Sequence, residues 1–282
     1  MKNNKVPGLD GINNQTLKNL PESALNYIKV IFNDCMRLNY FPEDWKVAKI
    51  LVFPKAGKDL TKPDNYRPIS LLNTLSKLFE GVLLNRLKKE VHGRNLIRPE
   101  QFGFRPGHSI QHQVLRLTEK ITERFNNNEK VGAVLLYVAK AFDSVLTEGL
   151  LLKLNKLKIS TALIKILASY LKNRCFRVAA YDSLSESHPA TAGVPQGSLL
   201  GPVLFIIYVN DMPTSHGVDI GIYADDTVIT VNSRSVSKIV KLIDDTLRVI
   251  KEWCAKWRIK INPSKSESIL FHRKQINMET IT

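Results

Sequence analysis

Cysteine is scarce in this chain. The three thiols, Cys35, Cys175 and Cys254, stand far apart, and no Cys/His cluster has metal-ligand spacing. Neither a disulfide framework nor a zinc knuckle is expected. Long hydrophobic runs are missing as well. The longest apolar stretch, Val203–Val209, is far below the roughly 20 residues that span a bilayer, so it reads as core and no membrane partner is expected. Residues 1–20 show no secretory h-region, and a reduced intracellular protein is the natural reading. Internal repeats and low-complexity blocks are absent. Acidic residues are the minority, 26 Asp+Glu against 41 Lys+Arg, for a formal net charge of +15, which points to a polyanionic partner; a basic but unemployed surface is the plain alternative. Residues 191–230 lack Lys and Arg altogether and hold four aspartates, Asp211, Asp219, Asp225 and Asp226, so the remainder carries +19. An acidic focus inside a basic body suggests divalent cations held against bound nucleic acid. A surplus of that size far exceeds what an enzyme acting on one small nucleotide needs.

What is present reads as a globular α+β chain. The 282 residues are 44% hydrophobic and 24% charged, enough to bury a sizeable core in one or two closely packed lobes. Periodicity predicts helices over Asn14–Lys18, Ala24–Leu38, Leu75–Val91, Ile110–Phe125, Thr147–Leu157, Ala162–Leu171, Leu199–Asn210 and Leu242–Trp257. Extended segments are expected at Val47–Phe53, Val131–Val138 and Ile269–Phe271. Pro54–Pro68 reads as a loop, Cys175–Ala180 and Ser187–Thr191 as arms of a hairpin around Asp182-Ser183, and Gly221–Tyr223 with Thr227–Thr230 as strands around Ala224-Asp225-Asp226. Strands mixed irregularly with helices give the α+β class.

Three local features carry chemistry. Adjacent carboxylates in Tyr223-Ala224-Asp225-Asp226 repel each other at a tight turn, and a hard cation such as Mg²⁺ relieves that repulsion; a solvated Asp-Asp turn is the plain alternative. Gly193-Val194-Pro195-Gln196-Gly197-Ser198 leads into a helix and lets backbone approach a ligand closely; it also serves as a simple tight helix entry. Lys55 and Arg67 lie on a polar segment where they can grip a triphosphate by charge-assisted hydrogen bonds, or remain solvated surface cations.

Ordered along the chain stand Val6-Pro7-Gly8-Leu9-Asp10-Gly11, Asn65-Tyr66-Arg67-Pro68-Ile69-Ser70-Leu71-Leu72, and Gln101-Phe102-Gly103-Phe104-Arg105-Pro106-Gly107-His108-Ser109. Then follow Ala141-Phe142-Asp143-Ser144-Val145, the Gly193–Pro202 loop, Tyr208-Val209-Asn210-Asp211, Tyr223-Ala224-Asp225-Asp226 and Asn262-Pro263-Ser264-Lys265. This series resembles the reverse transcriptases of non-LTR retrotransposons, most like the jockey-type elements, over about residues 5–273. The resemblance implies a right-hand polymerase fold, with fingers and the start of the palm over 1–130, palm with the C-terminal helix and strand over 131–282, and the thumb largely absent. It implies an RNA-directed DNA polymerase that transfers a nucleotide from dNTP to a primer 3′-OH between two Mg²⁺ ions, with an RNA template and a DNA primer as partners and nuclear action. Asp225 matches the palm carboxylate ligand and Asp226 its neighbour. Phe142 matches the side chain that crowds the sugar 2′ position, where dNTP and rNTP differ. Lys55 and Arg67 match triphosphate contacts, Gln196 and Gly197 the loop supporting the templating base and incoming sugar, and Lys265 a lysine near the departing pyrophosphate.

The chain departs from the pattern at its most sensitive point. Where the family has Leu-Asp-Val before Ala141-Phe142, with the aspartate shared by both metals, this chain has Leu136-Tyr137-Val138. A phenol is uncharged near neutrality and larger than the carboxylate it replaces. Losing half the metal stabilisation, roughly 4–6 kcal/mol, slows a reaction by about 10³–10⁴. Asp143 cannot take over, because the family has an aspartate there as well. Ile110 stands where Thr is more frequent, and Leu146-Thr147 where Trp-His is typical. Asp to Tyr, Thr to Ile and Trp to Leu are each reachable by one base change, the pattern of a decaying element copy. The upstream endonuclease of the family is not expected within these residues. The expectation is a polymerase domain impaired at residue 137, and the alternative a non-catalytic nucleic-acid-binding remnant of the same fold.

Overall fold

The computed structural model describes residues 6–180 and 183–273. In chain order the elements are α1 (Asn14–Lys18), α2 (Glu22–Leu38), β1 (Val47–Pro54), β2 (Tyr66–Leu71), α3 (Thr74–Gly93), α4 (Ile110–Asn126), β3 (Lys130–Ala139), α5 (Thr147–Lys156) and α6 (Thr161–Leu171). They continue with β4 (Cys175–Ala180), β5 (Ser183–Leu184), β6 (His188–Pro189), α7 (Gly201–Tyr208), β7 (Val218–Tyr223), β8 (Asp226–Ser233), α8 (Val236–Lys256), β9 (Lys260–Ile261) and β10 (Glu267–Phe271). The class is mixed α and β. Among the described residues no helix is long and apolar enough to cross a membrane.

Two compact units divide the chain, one of residues 1–96 with 145–204, the other of 97–144 with 205–282. Each is assembled from two separate stretches, a different partition from a single cut at 130/131. In the first unit the sheet order is β2-β1-β4-β5, with β6 also on β4. β1 and β2 are antiparallel, whereas β1 and β4 run parallel. Pro54–Pro68 is therefore not loop throughout, since Tyr66 onward is strand. Pro68 sits opposite Val52 on an edge strand, where a residue without N–H is tolerated. β6 pairs with the start of β4, and Asp182 of the expected hairpin lies outside the described residues. The helical side of this unit closes around an aromatic cluster: Phe79 lies 4.8 Å from Phe32 and 5.5 Å from Phe41 between ring centroids, and Phe41 meets Tyr170 edge-on at 4.9 Å. Fully burying each such ring contributes about 1.5–3 kcal/mol.

In the second unit the order is β10-β3-β8-β7, with β9 also on β3. β3 is the central strand because nearly every residue from Val131 to Val138 is apolar and most are buried, the composition of a strand covered on both faces. α8 starts at Ser235, whose side chain accepts from the Lys238 amide. It buries Ile239, Ile250, Trp253 and Cys254 at helical spacing. Gly132 has no Cβ because one would collide with the Ile239 side chain. α4 is capped by Ser109 and reaches the other edge strand, where Lys120 pairs with Asp219 at 2.6 Å.

Candidate active site

The second unit builds its site on two turns beside one strand. β7 and β8 pair with Tyr223 opposite Asp226, so Ala224 and Asp225 form a two-residue loop. Ala224 has φ of 59°, a left-handed conformation that glycine normally supplies at this place in a tight hairpin. Asp225 is half-buried and Asp226 exposed. Burial pushes the Asp225 carboxyl above the usual range, its own backbone hydrogen bond opposes this, and the Asp226 charge adds to the rise.

β3 pairs with β8 so that Tyr137 and Asp226 are direct partners. The segment after β9 wraps the other edge of Tyr137: the Asn262 amide donates to the Tyr137 carbonyl at 2.8 Å, and the Tyr137 amide donates to Ser266 Oγ at 3.3 Å. Asn262 Oδ1 accepts from the Ser264 amide and hydroxyl. This compact turn holds exposed Lys265 with its Nζ 4.4 Å from the centre of the Tyr137 ring, a cation–π contact. Phe142 follows on a 3-10 turn (Phe142–Ser144). Its ring stacks on Phe205 at 5.1 Å and meets Phe104 edge-on at 6.2 Å.

A third segment supports the Ala224 turn. Phe102 donates its amide to Ile222 and the Ile222 amide returns to Glu100, at 2.8 and 2.9 Å. Fully buried Gln101 sends its side chain to the same place: Oε1 accepts from the amides of Ala224 at 2.9 Å and Gly103 at 2.8 Å. At Gly103 a Cβ would fall on the Ala224 backbone nitrogen. Gly103→Ala is therefore expected to destabilise this unit by about 1–3 kcal/mol, since backbone rather than a movable side chain must yield. Urea unfolding of the two chains checks it.

The first unit gathers the other expected site residues. Phe53 and Arg67 are partners in the β1–β2 ladder, and the Lys55 amide extends it by donating to the Asn65 carbonyl at 2.8 Å. Strand alternation then puts Lys55 and Arg67 on one face of the hairpin. Further along β2, a Cβ on Gly197 would lie 2.9 Å from the Ser70 carbonyl, and Gly197 has φ of +78°. Gln196 precedes it, half-buried. The Ser198 hydroxyl accepts from the Gly201 amide at 2.9 Å, which caps α7. Glu80, fully buried on α3, accepts from the amides of Leu199 at 2.7 Å and Leu200 at 3.4 Å. Burial raises the Glu80 pKa, while those amides and the nearby Arg174 pull it back.

Gln101, Gly103 and Glu80 have no role in the sequence reading. Gln101 and Gly103 stand in the Gln101–Ser109 segment, where an amide and a glycine carry no chemical signal of their own. Glu80 left one signal, a carboxylate on the buried stripe of Ser76, Phe79, Leu83 and Leu87.

A family model described as reverse transcriptase (RNA-dependent DNA polymerase) matches residues 53–279. The chain belongs to the reverse transcriptase family. This reverse transcriptase domain is 38% identical over 284 residues to the probable RNA-directed DNA polymerase from transposon BS of Drosophila melanogaster, covering 98% of this chain and 31% of that protein. It is 39% identical to the probable RNA-directed DNA polymerase from transposon X-element of the same fly, covering 97% and 30%. To the RNA-directed DNA polymerase from its mobile element jockey it is 36% identical, covering 95% and 30%. The domain spans about a third of the length of these curated relatives. Its jockey-type, non-LTR resemblance holds. Among solved structures, apo telomerase from Candida tropicalis truncated from its C-terminal domain superposes with a TM-score of 0.54 at 12% identity, covering 89% of this chain and 56% of that one. That likeness shows the right-hand polymerase fold.

Reverse transcriptases generally use Mg²⁺. The donor set around the Asp225 turn does not fit a two-ion group. Two adjacent carboxylates come from one turn, while the neighbouring strand offers an uncharged phenol with an ammonium over its ring. Two divalent ions roughly 4 Å apart require carboxylates from both sides. Among the described residues no group of three His, Cys, Asp or Glu side chains is placed to hold a metal.

Proposed function

We propose that this chain is the template–primer-binding polymerase core of a non-LTR retrotransposon, built for RNA-directed DNA synthesis from dNTPs and impaired in that reaction at residue 137. The observation that carries the reading is the register of Tyr137 opposite Asp226 with Lys265 over the phenol. The strand that should bring a second source of negative charge to Asp225 and Asp226 brings a neutral ring instead, with a cation from the Pro263–Lys265 turn over it. Phe142 would limit the space at the sugar 2′ position. Lys55 and Arg67, on one face of their hairpin, would meet triphosphate oxygens, and the backbone at Gly197 is free to approach a nucleotide. Lys265 would assist a departing pyrophosphate only in a chain where residue 137 leaves it free. Nuclear action is part of the same proposal.

Binding survives what catalysis loses, because it draws on the surplus of +19 outside residues 191–230 and not on residue 137. Affinity for an RNA–DNA template–primer should fall on the order of 10²-fold between 50 and 200 mM salt if about four phosphates are neutralised. Fluorescence anisotropy of a labelled duplex, with dNTP extension followed on the same samples, checks both halves. The expected pattern is tight, salt-sensitive binding with little or no extension. Affinity independent of salt, or rapid extension by the unmodified chain, would remove the proposal.

A further inference from the structure

We infer that Gln101 is the positioning residue for the turn that presents Asp225 and Asp226. That these carboxylates serve polymerisation rests on the function proposed above; the clamp itself rests on geometry. Ala224 adopts φ of 59°, which for a residue with a Cβ persists only when its surroundings over-determine it. The surroundings are specific. One carboxamide oxygen of Gln101, 1% exposed, takes the Ala224 amide and the Gly103 amide together, while Nε2 faces the Ala224 carbonyl at 3.4 Å. Two N–H donors converging on one atom also fix which way the amide points, since the flipped group would set NH₂ against both. The clamp is anchored in turn. Arg105 Nη1 donates to the carbonyls of Arg98 and Gln101 at 2.9 and 3.0 Å. Arg98 is held by Asn210 Oδ1 on its amide and by the Met212 carbonyl on its guanidinium, at 2.8 and 2.7 Å. Gly103 completes the device by letting its backbone lie against Ala224.

A buried glutamine that only filled space would need no acceptor oxygen at this point. Two variants separate the roles. Gln101→Met keeps length and apolar volume but removes the acceptor, and Gln101→Glu, which burial favours in its protonated form, keeps the acceptor and a donor toward the Ala224 carbonyl. In the otherwise unmodified chain, amide hydrogen exchange at Ala224 should quicken about tenfold or more in Gln101→Met and stay near the parent rate in Gln101→Glu. Ile229, paired within β8, should exchange at the parent rate in both. Equal acceleration at Ala224 and Ile229 would reduce Gln101 to a general stabiliser, and an unchanged Ala224 rate in Gln101→Met would overturn the clamp outright. In a chain carrying Tyr137→Asp, Gln101→Met should lower kcat for primer extension tenfold or more with KM for dNTP held, and Gln101→Glu should recover most of it. If Tyr137→Asp gains no extension, the polymerase reading has failed at that point, while the exchange rates still decide the clamp.

Discussion

Tyr137→Asp should raise Mn²⁺ affinity sharply and turn a chain with little or no primer extension into one that extends. The expected gain is about 10³–10⁴, the rate equivalent of roughly 4–6 kcal/mol of recovered charge stabilisation. Residue 137 is the direct ladder partner of Asp226, and direct partners across an antiparallel pair carry Cβ atoms about 4.5–5.5 Å apart. An aspartate there places a third carboxylate beside two that already repel each other, an arrangement that stands only with a cation among them. The substitution also removes the ring under Lys265, a contact of about 0.5–2 kcal/mol, and releases that ammonium. Paramagnetic relaxation by Mn²⁺ reads the first half without any demand on primer grip, and extension on an RNA template reads the second. Adding Asp225→Ala to Tyr137→Asp should abolish both gains. Equal extension by the parent and the Tyr137→Asp chain would show that residue 137 takes no part in the reaction.

Glu80→Ala should cost the first unit about 1–3 kcal/mol, the penalty of leaving buried amide donors without their acceptor. Leu199 and Leu200 both lose the oxygen that takes their amides. Thermal unfolding should fall by about 5 °C, at roughly 2–4 °C per kcal/mol for a unit of this size. Glu80→Gln keeps an oxygen for both amides and should fold nearly as the parent does. The two also differ in pH response. Because burial raises the folded pKa of Glu80, the folded state binds its proton more tightly than the unfolded chain. Its contribution is complete below the ordinary glutamate value of about 4.3 and is lost as pH climbs through the raised one. Urea midpoints between pH 4.5 and 8 should therefore decline more in the parent than in Glu80→Gln. Identical pH profiles would mean that the carboxyl does not titrate differently in the folded state.

Most of the architecture was legible because its signals are local. Asn13 and Ser109 cap α1 and α4, and helical spacing marks α8. Apolar residues fill β3 from Val131 to Val138, and the Ala224-Asp225 turn sits between two apolar arms. β2 was missed because Pro68 argues against a strand unless the strand is known to be an edge. The parallel union of β1 with β4 leaves no local trace at all. The same contrast runs through the site. Asp225, Tyr137 and Phe142 announce themselves by charge, by substitution and by motif order. The partner of Gln101 is a backbone amide 123 residues away, and nothing about a glutamine in a loop says which amide it will hold. Nor does sequence order disclose that Lys55, Arg67, Gln196 and Gly197 fall in one compact unit and Tyr137, Phe142, Asp225, Asp226 and Lys265 in the other.

The central place of β3 has a consequence for the chain while it is being made. The β1–β2 hairpin closes across a short connection, but β3 has no strand to pair with when it leaves the ribosome. β8 follows roughly 90 residues later, which at about 5–20 residues per second is a wait of some 5–20 s. β10, on its other side, arrives later still. Through that interval the nascent polypeptide carries Val131–Val138, apolar and β-prone, with both edges open, the kind of segment that seeds intermolecular pairing. The strand that organises the second unit is thus also its chief hazard during translation, and a chaperone that shields apolar segments would have its clearest target there.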